Sequence, residues 1–123
     1  MWDPGEDDME NELVKNPTNY VESLRNVKVE EERQVAIWGL QKASEVTLAI
    51  FLEKGGLYVL SDWLTELHTG YGDDYLNAFA ALLDKLPVKS RHLKNCEAGK
   101  TLRKLDKLKN PKYAPFKKPL ETW

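Results

Sequence analysis

From Val29 to Leu86 the apolar residues recur at intervals of three and four, and no stretch alternates at two. That spacing puts them along one side of a helix with 3.6 residues per turn, and it leaves no pattern for a half-buried strand. Leu57, Leu60, Leu64 and Leu67 follow it with Trp63 beside them, and Leu76, Phe79, Leu83 and Leu86 follow it again. Within 30–44 two stripes compete, one of Val35, Trp38 and Lys42 and one of Ile37, Leu40 and Ser44. Trp38 and Trp63 are both read as core residues. The run Val46–Leu52 is apolar nearly all round and predicts a buried helix. The expected fold class is all-α, a compact right-handed bundle of about six or seven helices.

The breaks are as informative as the periods. Gly55-Gly56 ends the apolar helix, because glycine enters the left-handed region without penalty. Pro87 ends the next long one, since it lacks the N–H and disfavours helical geometry in the residue before it. Thr18 is expected to cap a helix over "NPTNYVESL", and Asp73 or Asp74 to cap the one after the loop "HTGYGDD". "VKSRHLKNC" predicts a short helix and "GKTLRKLDKL" a longer one, with Leu102, Leu105 and Leu108 inside. Prolines at 111, 115 and 119 leave room for one short terminal helix, starting at Pro119.

Charge divides the chain. Residues 1–12 carry six acids and no base, and residues 85–123 carry twelve Lys/Arg against three acids, a net of +9. Residues 1–15 are read as an acidic disordered arm and 16–123 as one helical domain. The arm also carries Trp2, so docking in cis on the basic half is the alternative to a solvated tail. A single cysteine, Cys96, forbids an internal disulfide and fits a reducing compartment. The longest apolar run is far short of the roughly 20 residues of a membrane span, and no secretory signal pattern opens the chain.

Catalytic and metal motifs fail on spacing. Gly99-Lys100-Thr101 resembles the end of a phosphate loop, but Lys94 stands where the motif needs glycine and a helix precedes it. Gly99 is read instead as a site of close packing at a helix start. His68 lacks a ligand partner at i+3 or i+4 and His92 has only Cys96, too few donors for a zinc site. Cys96 lies four residues after His92, and a half-buried structural thiol is the plainer reading. No enzyme activity, cofactor or metal is expected.

The order of motifs in "LLDKLPVKSRHLKNCEAGKTLRKL" resembles the N-terminal (LW) domain of transcription elongation factor S-II (TFIIS). The matching residues are Leu83 and Leu86, Val88, Leu93-Lys94, Gly99-Lys100, Leu102 and Leu105, then Leu120 and Trp123. Upstream, "LAIFLEKGGLYVLSDWLTEL" is similar to the long form of that domain, found in the nuclear targeting subunit of protein phosphatase 1 and in Spt-six-binding elongation factors. There Gly55, Gly56, Trp63 and Leu64 carry the likeness. The family's last segment is a helix rich in Ala, Leu and Lys; the three prolines depart from it.

The resemblance implies a nuclear, monomeric protein–protein module of transcription elongation. It implies partners that are disordered acidic motifs containing an aromatic residue, held by loops at one end of the bundle. By position, the implied contacts are Tyr71 and Asp73 from one loop and Leu108, Lys109 and Tyr113 from another. An apolar notch would take the aromatic, with Lys104 and Lys107 attracting the acids. The alternative is a basic nucleic-acid-binding module in which Lys and Arg neutralise phosphates and Tyr113 or Phe116 stacks on bases.

Overall fold

The computed structural model describes residues 15–68, 70–94 and 96–123. The arm at 1–14 therefore lies outside the described residues. Among those described there is no strand, and the helices are α1 (Pro17–Arg25), α2 (Glu30–Lys42), α3 (Glu45–Glu53), α4 (Gly56–Thr65), α5 (Asp73–Lys85), α6 (Ser90–Leu93), α7 (Ala98–Leu108), a 3-10 segment (Pro111–Phe116) and α8 (Lys117–Thr122). The proline-rich tail is the source of the count above seven: it forms two short helical pieces rather than one.

Helix α5 is the hub. α2 packs on one side of it, the 3-10 segment and α8 on another. α7 lies against α4 and the tail, and α1 closes over α3 and α4. The core follows the leucine periods: Leu57, Leu60 and Leu64 of α4 and Leu76, Phe79, Leu82 and Leu83 of α5 are all nearly inaccessible. The Phe79 ring stands edge-on to Trp63 of α4 and to Phe116 of the 3-10 segment. Polar latches fix α2 on α5. Gln41 donates to the Ala78 carbonyl (2.6 Å), and Lys85 donates to the Ala43 carbonyl (3.0 Å).

Gly55 sits at φ 87°, in the left-handed region, between α3 and α4. Gly56 is needed for a different reason: a Cβ there would overlap the Phe51 ring. Pro87 follows a helix that ends at Lys85 with Leu86 already extended. The terminal tryptophan is held, its Nε1–H donating to the Leu83 carbonyl (3.3 Å), while Trp123 and Leu120 pack against the core.

Several expectations are corrected. Trp38 is 47% exposed, because α2 turns the Ile37/Leu40 stripe to α5 and leaves the Val35/Trp38 stripe outside. Val46 is 72% exposed; only Thr47, Leu48, Phe51 and Leu52 of α3 are buried. Leu108 is 65% exposed, since it ends α7 beyond the reach of α4. The caps also differ. Asn16 precedes α1 with Pro17 at its first turn, so Thr18 is inside the helix. Gly72 precedes α5, and Asp73 and Asp74 occupy its first turn. There they favour the positive end of the helix dipole without capping it. Gly99 faces open space rather than a close neighbour. Finally, α8 begins at Lys117 and buries Pro119 inside its first turn.

Candidate partner-docking surface

The two loops singled out by sequence position meet in space. The first follows α4. Its residues are ordered by a column of rings: His68 lies 4.4 Å from Tyr71, and Tyr71 stacks on Tyr75 of α5 at 4.8 Å. The Gly70 N–H donates to His68 Nδ1 (3.0 Å), and the Gly72 N–H donates to Glu30 (3.3 Å). The second is the turn after α7. Lys109 stops the helix in the left-handed region, at φ 52°. Asn110 then accepts the Lys112 N–H (3.0 Å), starting the 3-10 turn.

Lys112 joins the two. Its Nζ donates to the Tyr71 carbonyl (2.6 Å) and lies 4.0 Å from the Asp73 carboxylate. The loop and the turn thus share one surface across a sequence separation of 41 residues. Lys112 was not singled out in the sequence; the Asn110-Pro111 turn signal beside it was the available clue.

The implied contact residues divide into two sets. Lys104, Lys107, Leu108 and Lys109 are exposed along α7 and its end, and Asp73 is exposed at the start of α5. Tyr71 and Tyr113 are buried, at 8% and 7% exposure. Tyr71 builds the surface from beneath, and Tyr113 offers only the small accessible part of its ring that lines the neighbouring cleft. Between α7 and the 3-10 turn lies an open cleft of about 420 Å³ lined by Leu105, Asp106, Lys109, Asn110, Pro111, Tyr113, Ala114 and Lys117. Leu105 and Tyr113 are its buried apolar lining, and at its exposed edge Lys109 and Lys117 stand with Asp106. Over residues 98–118 eight Lys/Arg stand against one acid, Asp106, a net of +7. Asp73 faces Lys112 (4.0 Å) and Asp84 pairs with Lys118 (3.5 Å); the exposed Lys100, Arg103, Lys104, Lys107, Lys109 and Lys117 keep the strip net positive toward solvent.

The remaining candidates serve the fold. His92 Nδ1 accepts the Lys89 N–H (2.9 Å), which leaves Nε2–H to face Glu53 (3.1 Å). That bond, with Arg91 beside it, holds the Glu53 carboxyl below its ordinary range. The Cys96 thiol points at the Leu57 carbonyl (3.9 Å). Neither residue is directed at the other. Among the described residues no group of three His, Cys, Asp or Glu is placed to hold a metal ion. No helix among them is long and apolar enough to cross a membrane.

No family model, curated protein or solved structure matches this chain.

Proposed function

We propose that this chain is a protein–protein interaction module of a nuclear transcription elongation factor, of the TFIIS N-terminal type, that docks short acidic segments containing an aromatic residue. The observation that carries the reading is the Lys112 bridge, which sets the 71–73 loop beside the 110–113 turn. It makes one surface of two distant segments, at the same end of the bundle as a basic-rimmed cleft. The ordered motifs support the family type. Gly55 turns the chain between two apolar helices, Trp63 and Leu64 enter the core, and Trp123 packs back on α5.

The chemistry of the cleft favours an extended peptide over a folded face. A flat interface would have to strip water from several lysines, which is costly without close partners. A flexible acidic segment meets those lysines at the rim and places one apolar side chain on Leu105, Tyr113 and the exposed Leu108. No chemical step is required of the module.

The test is an NMR titration of labelled protein with a twelve-residue acidic peptide containing one Phe, the same peptide with Ala in place of Phe, and a DNA duplex. Shifts confined to 71–74 and 104–117, lost on Phe→Ala and persisting at higher salt, are expected. A nucleic-acid interface touching about five phosphates would instead weaken roughly 500-fold between about 50 and 200 mM salt. Duplex binding of that kind, with no response to the peptide, would overturn the proposal.

A further inference from the structure

We infer that residues 1–12 dock in cis on the basic surface of α7 and the 3-10 turn, and so compete with the partner for the cleft; this rests on the reading of that cleft as a peptide site. The first argument is charge. The segment 1–12 carries a net of −6, and residues 98–118 a net of +7. These are the most one-sided stretches of the chain, and of opposite sign. Lys100, Arg103, Lys104 and Lys107 of α7 are all exposed, at spacings that keep them on neighbouring faces of one helix. A segment lying along them brings its carboxylates well inside the roughly 8 Å over which charges act at physiological salt.

The second argument is the anchor. Trp2 precedes the acids Asp3, Glu6, Asp7 and Asp8. The cleft beside the basic strip is the matching receptor: buried Leu105 and Tyr113 line it, and exposed Lys109 and Lys117 outnumber its one acid, Asp106. An indole with acids on its C-terminal side has the same form as the peptides proposed to bind there.

The third argument is reach. α1 packs on α4, and α4 on α7. The axes of α1, which follows the segment, and of the basic helix are therefore at most about two helix spacings, roughly 20 Å, apart. Thirteen residues from Trp2 to Lys15 span up to about 43 Å. The tether imposes an effective concentration of order millimolar. An intrinsic affinity of only about 0.1 mM then keeps the docked form ahead by roughly ten to one, and a competing peptide binds about tenfold more weakly than it would to a cleared cleft.

The experiment uses the full chain in three forms: wild type, a variant with the six acids made amides (D3N/E6Q/D7N/D8N/E10Q/E12Q), and D3C/C96S carrying a nitroxide. The nitroxide is expected to broaden the amide signals of 104–117 at low salt, with recovery at high salt. The amide variant is expected to bind the Phe-containing acidic peptide about tenfold more tightly than wild type. If the peptide binds both forms equally at 104–117 and the nitroxide leaves those signals sharp, cis docking is overturned while the docking function stands. If the nitroxide broadens them but neither form binds the peptide, the segment docks and the partner reading fails instead. Sharp signals with no peptide binding overturn both.

Discussion

Among the described residues Arg33 is the one charged side chain in the core, 1% exposed, and replacing it tests how the α1–α2 corner is held. Its Nε donates to the Val27 carbonyl (3.0 Å), its Nη2 meets Glu66 (2.7 Å), and its guanidinium lies 5.1 Å from the Trp63 ring centroid. Arg33→Ala removes a charge-assisted hydrogen bond of about 1.5–3 kcal/mol, a desolvated cation–π contact of up to about 2, and two buried methylenes at about 0.8 each. Against this, an unfolded chain no longer gains several kcal/mol from hydrating the guanidinium. The net is a loss of about 1–4 kcal/mol, a sizeable part of the stability of a domain this size.

The partners separate the causes of that loss. Glu66 is half exposed, so Glu66→Ala opens Nη2 to water and costs only about 1 kcal/mol. Arg33→Met keeps the stem and the contact with Trp63, and costs about 1–2 kcal/mol, mostly for the Val27 carbonyl left without its donor. Urea unfolding followed by circular dichroism reads all three, provided the slope m is unchanged. An Arg33→Ala loss below about 1 kcal/mol, or a Glu66→Ala loss as large as that of Arg33→Ala, would refute the reasoning.

Further outcomes follow from the same packing. Gly56→Ala puts a methyl into the Phe51 ring and is expected to cost about 1–3 kcal/mol; Gly55→Ala, strained by its φ of 87° but with room for the methyl, costs about 1–2. Tyr20→Phe removes a buried hydroxyl that has no hydrogen-bond partner among the described residues, so urea midpoints are expected to hold or rise. Burial raises the Tyr20 and Tyr75 phenols well above their ordinary value. The folded state then keeps protons that the unfolded chain releases above pH ~10, so stability is intact below that pH and falls beyond it. Tyr20 contributes about 1.4 kcal/mol per pH unit and Tyr75 adds in the same direction. Tyr20→Phe should flatten that alkaline fall in a series of urea melts. Trp123→Ala loses the bond to Leu83 and a half-buried ring, for about 2 kcal/mol, seen as a lower thermal midpoint.

What sequence made legible was where helices stop. Gly55, Pro87 and Pro111 act through their own backbone chemistry, which needs no tertiary neighbour. What it left open was which face turns inward. α2 carries two apolar stripes of similar quality, and the choice between Ile37/Leu40 and Val35/Trp38 is made by α5, a helix thirty residues on. Arg33 illustrates the same point from the polar side. Periodicity alone assigns a charged residue to solvent, but here one carboxylate, one carbonyl and one indole, contributed by other segments, make its burial tolerable.

Tyr71 shows where a helical period should have been carried further. Tyr71, Tyr75 and Phe79 are spaced at four, and their rings form one column although only the last two lie in α5. The stripe continues through Gly72 because the loop is pinned from both sides, by Glu30 on the Gly72 N–H and by Lys112 on the Tyr71 carbonyl. Tyr71 therefore belongs to the core that shapes the surface, and the groups left for a partner are those around it. This has a measurable consequence. Tyr71→Ala should lower stability by about 3–5 kcal/mol and alter binding only through loss of fold. Lys104→Glu with Lys107→Glu should leave the urea midpoint nearly unchanged and weaken the acidic peptide at least tenfold. Were Tyr71→Ala instead to abolish binding at full stability, the ring would be a direct contact that leaves the stacked column to meet the peptide.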